Sequence, residues 1–265
     1  GHILGSCVVR IEREGKSIAF TGDLGGGNSP LLSPAEVPSG AAYLVMESVY
    51  GNRIKDKEES RRDALENIIE NAAKRGGTLL IPAFSTERTQ DLLFEIRTLM
   101  MEKRIPSMPV YMDSPLAAKI TEAFMAYPQY FSVDIQKRIT AGEKIFSFPE
   151  LHFVEDAKES AKIAQGSGQK IIIAGSGMST GGRVHGHQKI FLPDEKSTLL
   201  IVGYQAAGSL GRQLIEGNKK VRIGGEEVRV RAKVETLYGY SAHMDGEQLL
   251  EFANAAAPSL KQIFV

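Results

Sequence analysis

Lys170-Ile171-Ile172-Ile173-Ala174-Gly175-Ser176-Gly177-Met178-Ser179-Thr180-Gly181-Gly182 joins a β-branched apolar run to a Gly/Ser-rich loop, and a helix is expected near Gly182. Four to eight apolar residues bounded by turn residues read as a strand buried on both faces. The same grammar recurs upstream, where Thr78–Pro82 leads to a helix from Thr86 and residues 110–112 lead to a helix from Pro115. Short buried strands alternating with amphipathic helices imply an α/β fold with a parallel sheet and crossover helices. Ligands of such sheets bind beyond the C-terminal strand ends, which makes those loops the first place to look for function.

Working outward, residues 7–12 and 17–21 alternate around a turn containing Gly15 and predict a β-hairpin, and residues 42–46 form a further strand that delivers Glu47. Residues 60–74 read as a charged helix with Leu65, Ile68, Ile69 and Ala72 on one face. The stretch 127–149 reads as helical and polar, and 196–203 as one more buried strand. Residues 222–230 form a hairpin about Gly224-Gly225, and a helix from Asp245 to about Ala257 precedes a last strand over 261–265.

The 265 residues carry 32 basic and 32 acidic side chains, so no global basic field gathers nucleic acid, and phosphate binding must come from local patches or backbone amides. The single cysteine, Cys7, excludes an internal disulfide and a multi-cysteine zinc site. No apolar run is long enough for a membrane span, and a cytoplasmic protein is expected. The chain starts at Gly1 and ends on a strand, so it is expected to be cut inside a structural element at each end.

Among the five histidines, His152 has no acid or strand end beside it and reads as structural. His185 and His187 lie two apart at a helix start, a spacing that puts them on different faces and argues against a shared metal. Asp23, Glu47 and His243 each sit at the end or loop side of a predicted element, where one common site could gather them. The loop 175–182 could cradle a phosphate with backbone amides, Arg183 adding charge, although it has neither a P-loop lysine nor dinucleotide-fingerprint spacing.

Taken in order, Gly1-His2-Ile3-Leu4-Gly5-Ser6, Phe20-Thr21-Gly22-Asp23, Met46-Glu47-Ser48-Val49-Tyr50-Gly51, Pro82-Ala83-Phe84, Tyr111-Met112-Asp113-Ser114-Pro115-Leu116-Ala117, Gly175-Ser176-Gly177-Met178 and Ser241-Ala242-His243-Met244-Asp245 resemble the motif series of the β-CASP branch of the metallo-β-lactamase fold. That resemblance implies a partial metallo-β-lactamase αββα domain over 1–51, an inserted β-CASP domain over 52–237 built on a mostly parallel sheet flanked by helices, and a return segment over 238–265. It implies RNA phosphodiester hydrolysis by a water activated between two zinc ions. His2 and Asp23 are then metal ligands, Asp23 bridging the ions, while Glu47 and His243 form a pair that protonates the leaving oxygen. RNA contacts are expected from Arg53, Arg88, Arg183, Ser176, Ser179 and Thr180, with Lys55 and Lys189 as further basic positions. Glu87, where relatives often carry glycine, is expected to face the phosphates.

Two parts of the family pattern are missing: the metal motif His-x-His-x-Asp-His upstream of His2, and a histidine just after Val265. This chain is therefore expected to hold an incomplete zinc site and to be inactive alone. A non-catalytic RNA-binding or interaction cassette of the same fold is the alternative, and a small-molecule α/β enzyme using the loop 175–182 is a third reading. Endo- or exonucleolytic action and the oligomeric state, a homodimer included, are left open.

Overall fold

A computed structural model describes residues 1–26, 29–52, 54 and 58–265, with side chains from residue 61 in the first helix. In chain order the elements begin with β1 (Val9–Arg13), β2 (Lys16–Phe20) and β3 (Tyr43–Val45), then α1 (Glu58–Arg75), β4 (Thr78–Pro82), α2 (Arg88–Met101), β5 (Val110–Asp113) and α3 (Pro115–Ala126). They continue with α4 (Val133–Thr140), β6 (Leu151–Phe153), α5 (Ala157–Gln165), β7 (Lys170–Ala174), α6 (Arg183–Phe191), β8 (Thr198–Ile201) and α7 (Leu210–Ile215). Last come β9 (Lys220–Ile223), β10 (Glu226–Arg229), β11 (Lys233–Thr236), α8 (Gly246–Ala256) and β12 (Gln262–Phe264).

The contacts divide the chain into two units: residues 1–56, 127–140 and 242–265 form one, and 57–126 with 141–241 form the other. The segment 127–140 thus groups with the chain's two ends rather than with its sequence neighbours.

In the first unit β1, β2, β3 and β12 form one mixed sheet in that order. The predicted hairpin is present, with β1 antiparallel to β2, while β3 runs parallel to both β2 and β12. Helix α8 presents Leu249, Phe252 and Ala256 at helical spacing to a core that holds Ala19, Leu24, Leu44, Met46 and Met244. Its start is fixed by a capping box in which Asp245 accepts the Gln248 amide and the Gln248 side chain accepts the Asp245 amide.

The second unit contains the six-stranded sheet β11-β8-β4-β7-β5-β6, parallel throughout. Central strands β4 and β7 are buried at every position, which is why, after Thr78 and Lys170, their sequences are apolar runs rather than alternating ones. The hairpin of β9 and β10 turns at Gly224 and Gly225, both at positive φ as a two-residue turn of this twist requires.

One expectation needs correction. Residues 127–149 are not a helical polar block: helix α4 covers only 133–140, and 144–149 are turns that bury Ile145, Phe146 and Phe148. Three apolar anchors at 145, 146 and 148 carry no helical periodicity.

Candidate functional site

The end of β2 and the loop after it bring Asp23 and Leu24 to one place, and the end of β3 brings Glu47 there. The link is direct, because Thr21 N–H donates to Val45 O at 3.0 Å and Glu47 N–H donates to Thr21 Oγ1 at 3.3 Å. On the other side, Met244 N–H donates to Leu24 O at 2.7 Å, Gly25 and His243 form an isolated antiparallel bridge, and Gln248 Nε2 donates to Gly26 O at 3.1 Å. Segments 24–26 and 243–248 are strapped together by backbone and side chain, and the strap sets the depth of His243.

The His243 imidazole faces Glu47, with Nδ1 2.9 and 3.0 Å from the two carboxylate oxygens. A carboxylate only accepts, so Nδ1 carries the proton and the ring's other edge carries Nε2. Burial on its own would raise the Glu47 carboxyl, but the bonds from His243 and from the Leu24 and Val49 amides outweigh it and hold it below the usual carboxylate range. Glu47 is therefore a fixed anion at neutral pH. The Tyr50 ring meets the imidazole edge-on with centroids 5.6 Å apart.

His2 lies 4.4 Å from His243 between ring centroids, and its Nε2 is 3.5 Å from Asp23 Oδ2. Burial, then the neighbouring His243, lower the His2 pKa against the pull of Asp23 and Glu47. The ring is thus kept neutral, which is the form that binds metal. His2, Asp23 and His243 each offer one ligand atom, all within 4.8 Å of one another.

The group suits a zinc ion on chemical grounds, since imidazole nitrogen and carboxylate oxygen are zinc donors. His2 Nδ1 is moreover buried without a hydrogen-bond partner among the described residues, a situation that a ligand would relieve. Carboxylate, imidazole and metal in series is a common way to fix a ligating ring. His243 as a member of the ligand-forming trio was not read from the sequence, where it stood only beside Glu47. Its place 4.4 Å from His2 depends on pairing across the strap, which local pattern does not encode.

In the second unit the loop 175–182 follows β7. Three of its amides bond within the loop: Ser176 N–H donates to Gly181 O, Ser179 N–H to Ser176 O and Thr180 N–H to Ser176 Oγ, while Val184 N–H, in α6, donates to Gly175 O. Thr180 is exposed and Ser176 half-buried, whereas Ser179 is 1% exposed and its Oγ accepts Gln188 Nε2.

Arg183 Nη1 donates to Asp113 Oδ1 at 2.5 Å and to Val154 O, and Nη2 donates to Glu155 O. Fully buried Asp113 also accepts Ser160 Oγ at 2.5 Å and His187 Nε2 at 2.6 Å. Burial would raise the Asp113 carboxyl; bonds from His187, Ser160 and Arg183 bring it below its usual value. This clamp was not read from the sequence. Its signal is the four-residue spacing of Arg183 and His187, which puts both on one helix face.

His185 turns elsewhere, its Nε2 donating to Ser179 O at 2.8 Å. Arg88 Nη1 donates to Val202 O at 2.7 Å, and Lys189 pairs with Glu226. Glu87 is 2% exposed and so does not present its carboxylate to solvent, contrary to expectation. Arg53 and Lys55 lie outside the described residues.

Residues 89–214 match the Beta-Casp domain, and residues 227–265 match the Zn-dependent metallo-hydrolase RNA specificity domain. A ribonuclease of Thermus thermophilus is 36% identical over 95% of this chain and 58% of its own length. The transcription termination factors FttA of Pyrococcus horikoshii and Methanocaldococcus jannaschii are 34% and 32% identical over 99% and 100% of this chain, and 42% and 43% of theirs. The chain thus spans about half the length of the curated relatives it matches. Two adjoining domain matches, relatives aligned from end to end of the chain and an all-parallel six-stranded sheet lead to one assignment: the chain belongs to the β-CASP branch of the metallo-β-lactamase fold.

Proposed function

We propose that the protein containing this chain hydrolyses RNA phosphodiester bonds with zinc held in part by His2 and Asp23, and that Glu47 and His243 manage the proton of the departing oxygen. The observation that carries this reading is the grip of both Glu47 oxygens on His243 Nδ1, beside a trio of donors within 4.8 Å. Zinc bound there would lower the pKa of a water towards neutrality and offset charge on the phosphorane; two ions is the number the family resemblance implies.

Glu47 stays ionised and so keeps the imidazole in the Nδ1–H tautomer. With Nδ1 bonded to Glu47, Nε2 is the atom left to face the leaving oxygen and to exchange a proton with it. Asp23, with 57% of its side chain exposed, presents a carboxylate to the solvent side where substrate arrives. His2, kept neutral, adds a lone pair rather than a charge. RNA contacts are proposed for Ser176, Thr180, Arg88 and Arg53, with Ser179 and Arg183 shaping the loop from within. A homodimer and a cytoplasmic location remain part of the proposal.

The test uses the full-length protein: metal content by elemental analysis, then cleavage of a labelled RNA by wild type, Asp23→Ala and His243→Gln. Asp23→Ala is expected to lose metal and cleavage together. His243→Gln is expected to keep RNA binding while kcat falls by about 10²–10⁴. RNA binding with neither metal nor cleavage in the wild type would replace this reading with the non-catalytic cassette.

A further inference from the structure

At the C-terminal ends of three neighbouring strands of the six-stranded sheet stand three exposed aromatic rings. Tyr238 follows β11 and is 47% exposed, Tyr204 follows β8 and is 48% exposed, and Phe84 follows β4 and is 42% exposed. Large apolar side chains are not normally left open at three adjacent strand ends, and neighbouring strands lie about 4.8 Å apart. Beyond Phe84 the same edge continues with hydroxyls: Ser85 Oγ lies 3.4 Å from Ser114 Oγ, and Ser176 Oγ 3.1 Å from Thr180 Oγ1.

The ledge is built rather than accidental. The Phe84 ring lies so close to Gly177 that a Cβ there would come 2.8 Å from its Cδ2, and Gln205 Nε2 ties the loop to the Tyr204 segment by donating to Gly177 O and Tyr204 O. Arg212 completes it. Its helix, α7, packs against β11, the strand that leads to Tyr238, and its guanidinium is half exposed and bonded to Glu216 at 2.7 Å.

We propose that Phe84, Tyr204 and Tyr238, with Arg212, form a stacking ledge for unpaired RNA bases. The ledge deepens the RNA reading above and rests on it. A chain of planar bases on a polyanionic backbone is the ligand that uses all its parts: rings for base faces, a guanidinium and hydroxyls for phosphate and ribose. A protein partner would use the rings but has no need of the row of hydroxyls. Duplex RNA hides its base faces and gains nothing from the ledge.

The test compares, on the 265-residue chain, a labelled single-stranded RNA with an abasic ribose-phosphate oligomer of the same length, by fluorescence anisotropy. The chain has eight tyrosines and no tryptophan, so a loss of tyrosine emission on binding reports the ledge where Tyr204→Ala and Tyr238→Ala diminish it. Wild type is expected to bind the base-bearing strand more tightly and to lose tyrosine emission on binding. Each of Phe84→Ala, Tyr204→Ala and Tyr238→Ala should weaken that strand by at least about fivefold while leaving the abasic oligomer unchanged. Tyr204→Trp should preserve affinity and show quenched indole emission, which separates stacking from misfolding. Equal binding of the two oligomers, or equal losses on both in the variants, overturns the ledge while leaving RNA binding intact. If neither oligomer binds, the RNA reading itself fails, and the ledge becomes a protein-docking face.

Discussion

Replacing Asp113 with alanine removes the acceptor shared by Ser160, Arg183 and His187, and the structure sets what that costs. Asp113 is wholly buried and His187 is 1% exposed, so the His187 ring would be left with no partner in a dry site; its Nδ1 already has none among the described residues. Arg183 keeps its bonds to Val154 O and Glu155 O and recovers part of its loss. Breaking one side of a buried ion pair costs about 3–5 kcal/mol, and one unsatisfied buried polar group about 1–3 kcal/mol, so a loss of about 3–5 kcal/mol is expected.

Because the chain has two units, the readout must be local. Native-state hydrogen exchange of peptides covering 110–113 and 183–191, followed through a urea series, reports that unit alone. Asp113→Asn, which keeps shape and one acceptor, should lose less. The depressed carboxyl adds a pH signature: its stabilisation is whole above the unfolded aspartate pKa near about 3.9 and is lost as pH falls through the lower folded value. Wild type should therefore weaken below about pH 4, and the Asn variant should lack that part of the decline. A loss under about 1 kcal/mol in Asp113→Ala, with no difference in acid response, would refute the clamp.

Glu47→Gln in the full-length protein should lower kcat by about 10²-fold or more with metal content unchanged, measured by RNA cleavage beside elemental analysis, because the neutral amide no longer supports His243 in handling the proton. Gly182→Ala should destabilise the 175–182 loop by at least about 1–3 kcal/mol, seen as lost exchange protection after β7: Gly182 sits at φ 76°, ψ −168°, and a Cβ would come 2.6 Å from Gly175 O. Asp245→Ala should cost about 1 kcal/mol through the lost cap of α8, read from exchange in 246–256, with Asp245→Asn restoring most of it.

What was legible follows burial. Strands β4, β7 and β8 sit between neighbours, and their apolar runs announce them; the hairpin of β1 and β2 shows by alternation. Strands β6 and β11 are the sheet's two edges, β6 only three residues long and β11 short and charged, and pattern reading passed over both. Helices α5 and α7 went unread too, being nine and six residues with little apolar stripe. At the site, Asp23, Glu47 and His243 stood out as polar groups at element ends, whereas His2 and the roles of all four came from the motif series. Which nitrogen of His243 meets Glu47, and that Asp113 gathers Arg183, His187 and Ser160, are three-dimensional facts without a local sequence signature.

The sheet of the first unit pairs β3 with β12, whose residues lie more than two hundred positions later in the chain. During synthesis from the N-terminus, His2, Asp23 and Glu47 emerge early and wait, while the whole six-stranded sheet is made and can fold. Only when 242–264 appear can β3 gain its second neighbour and His243 reach Glu47. Loop closure over such a span is slow, so the unpaired edge of β3 is exposed to wrong partners in the interval. The same delay keeps His243 from His2 and Asp23 until almost all of this chain has been made, so the donor trio is among the last features of the first unit to assemble.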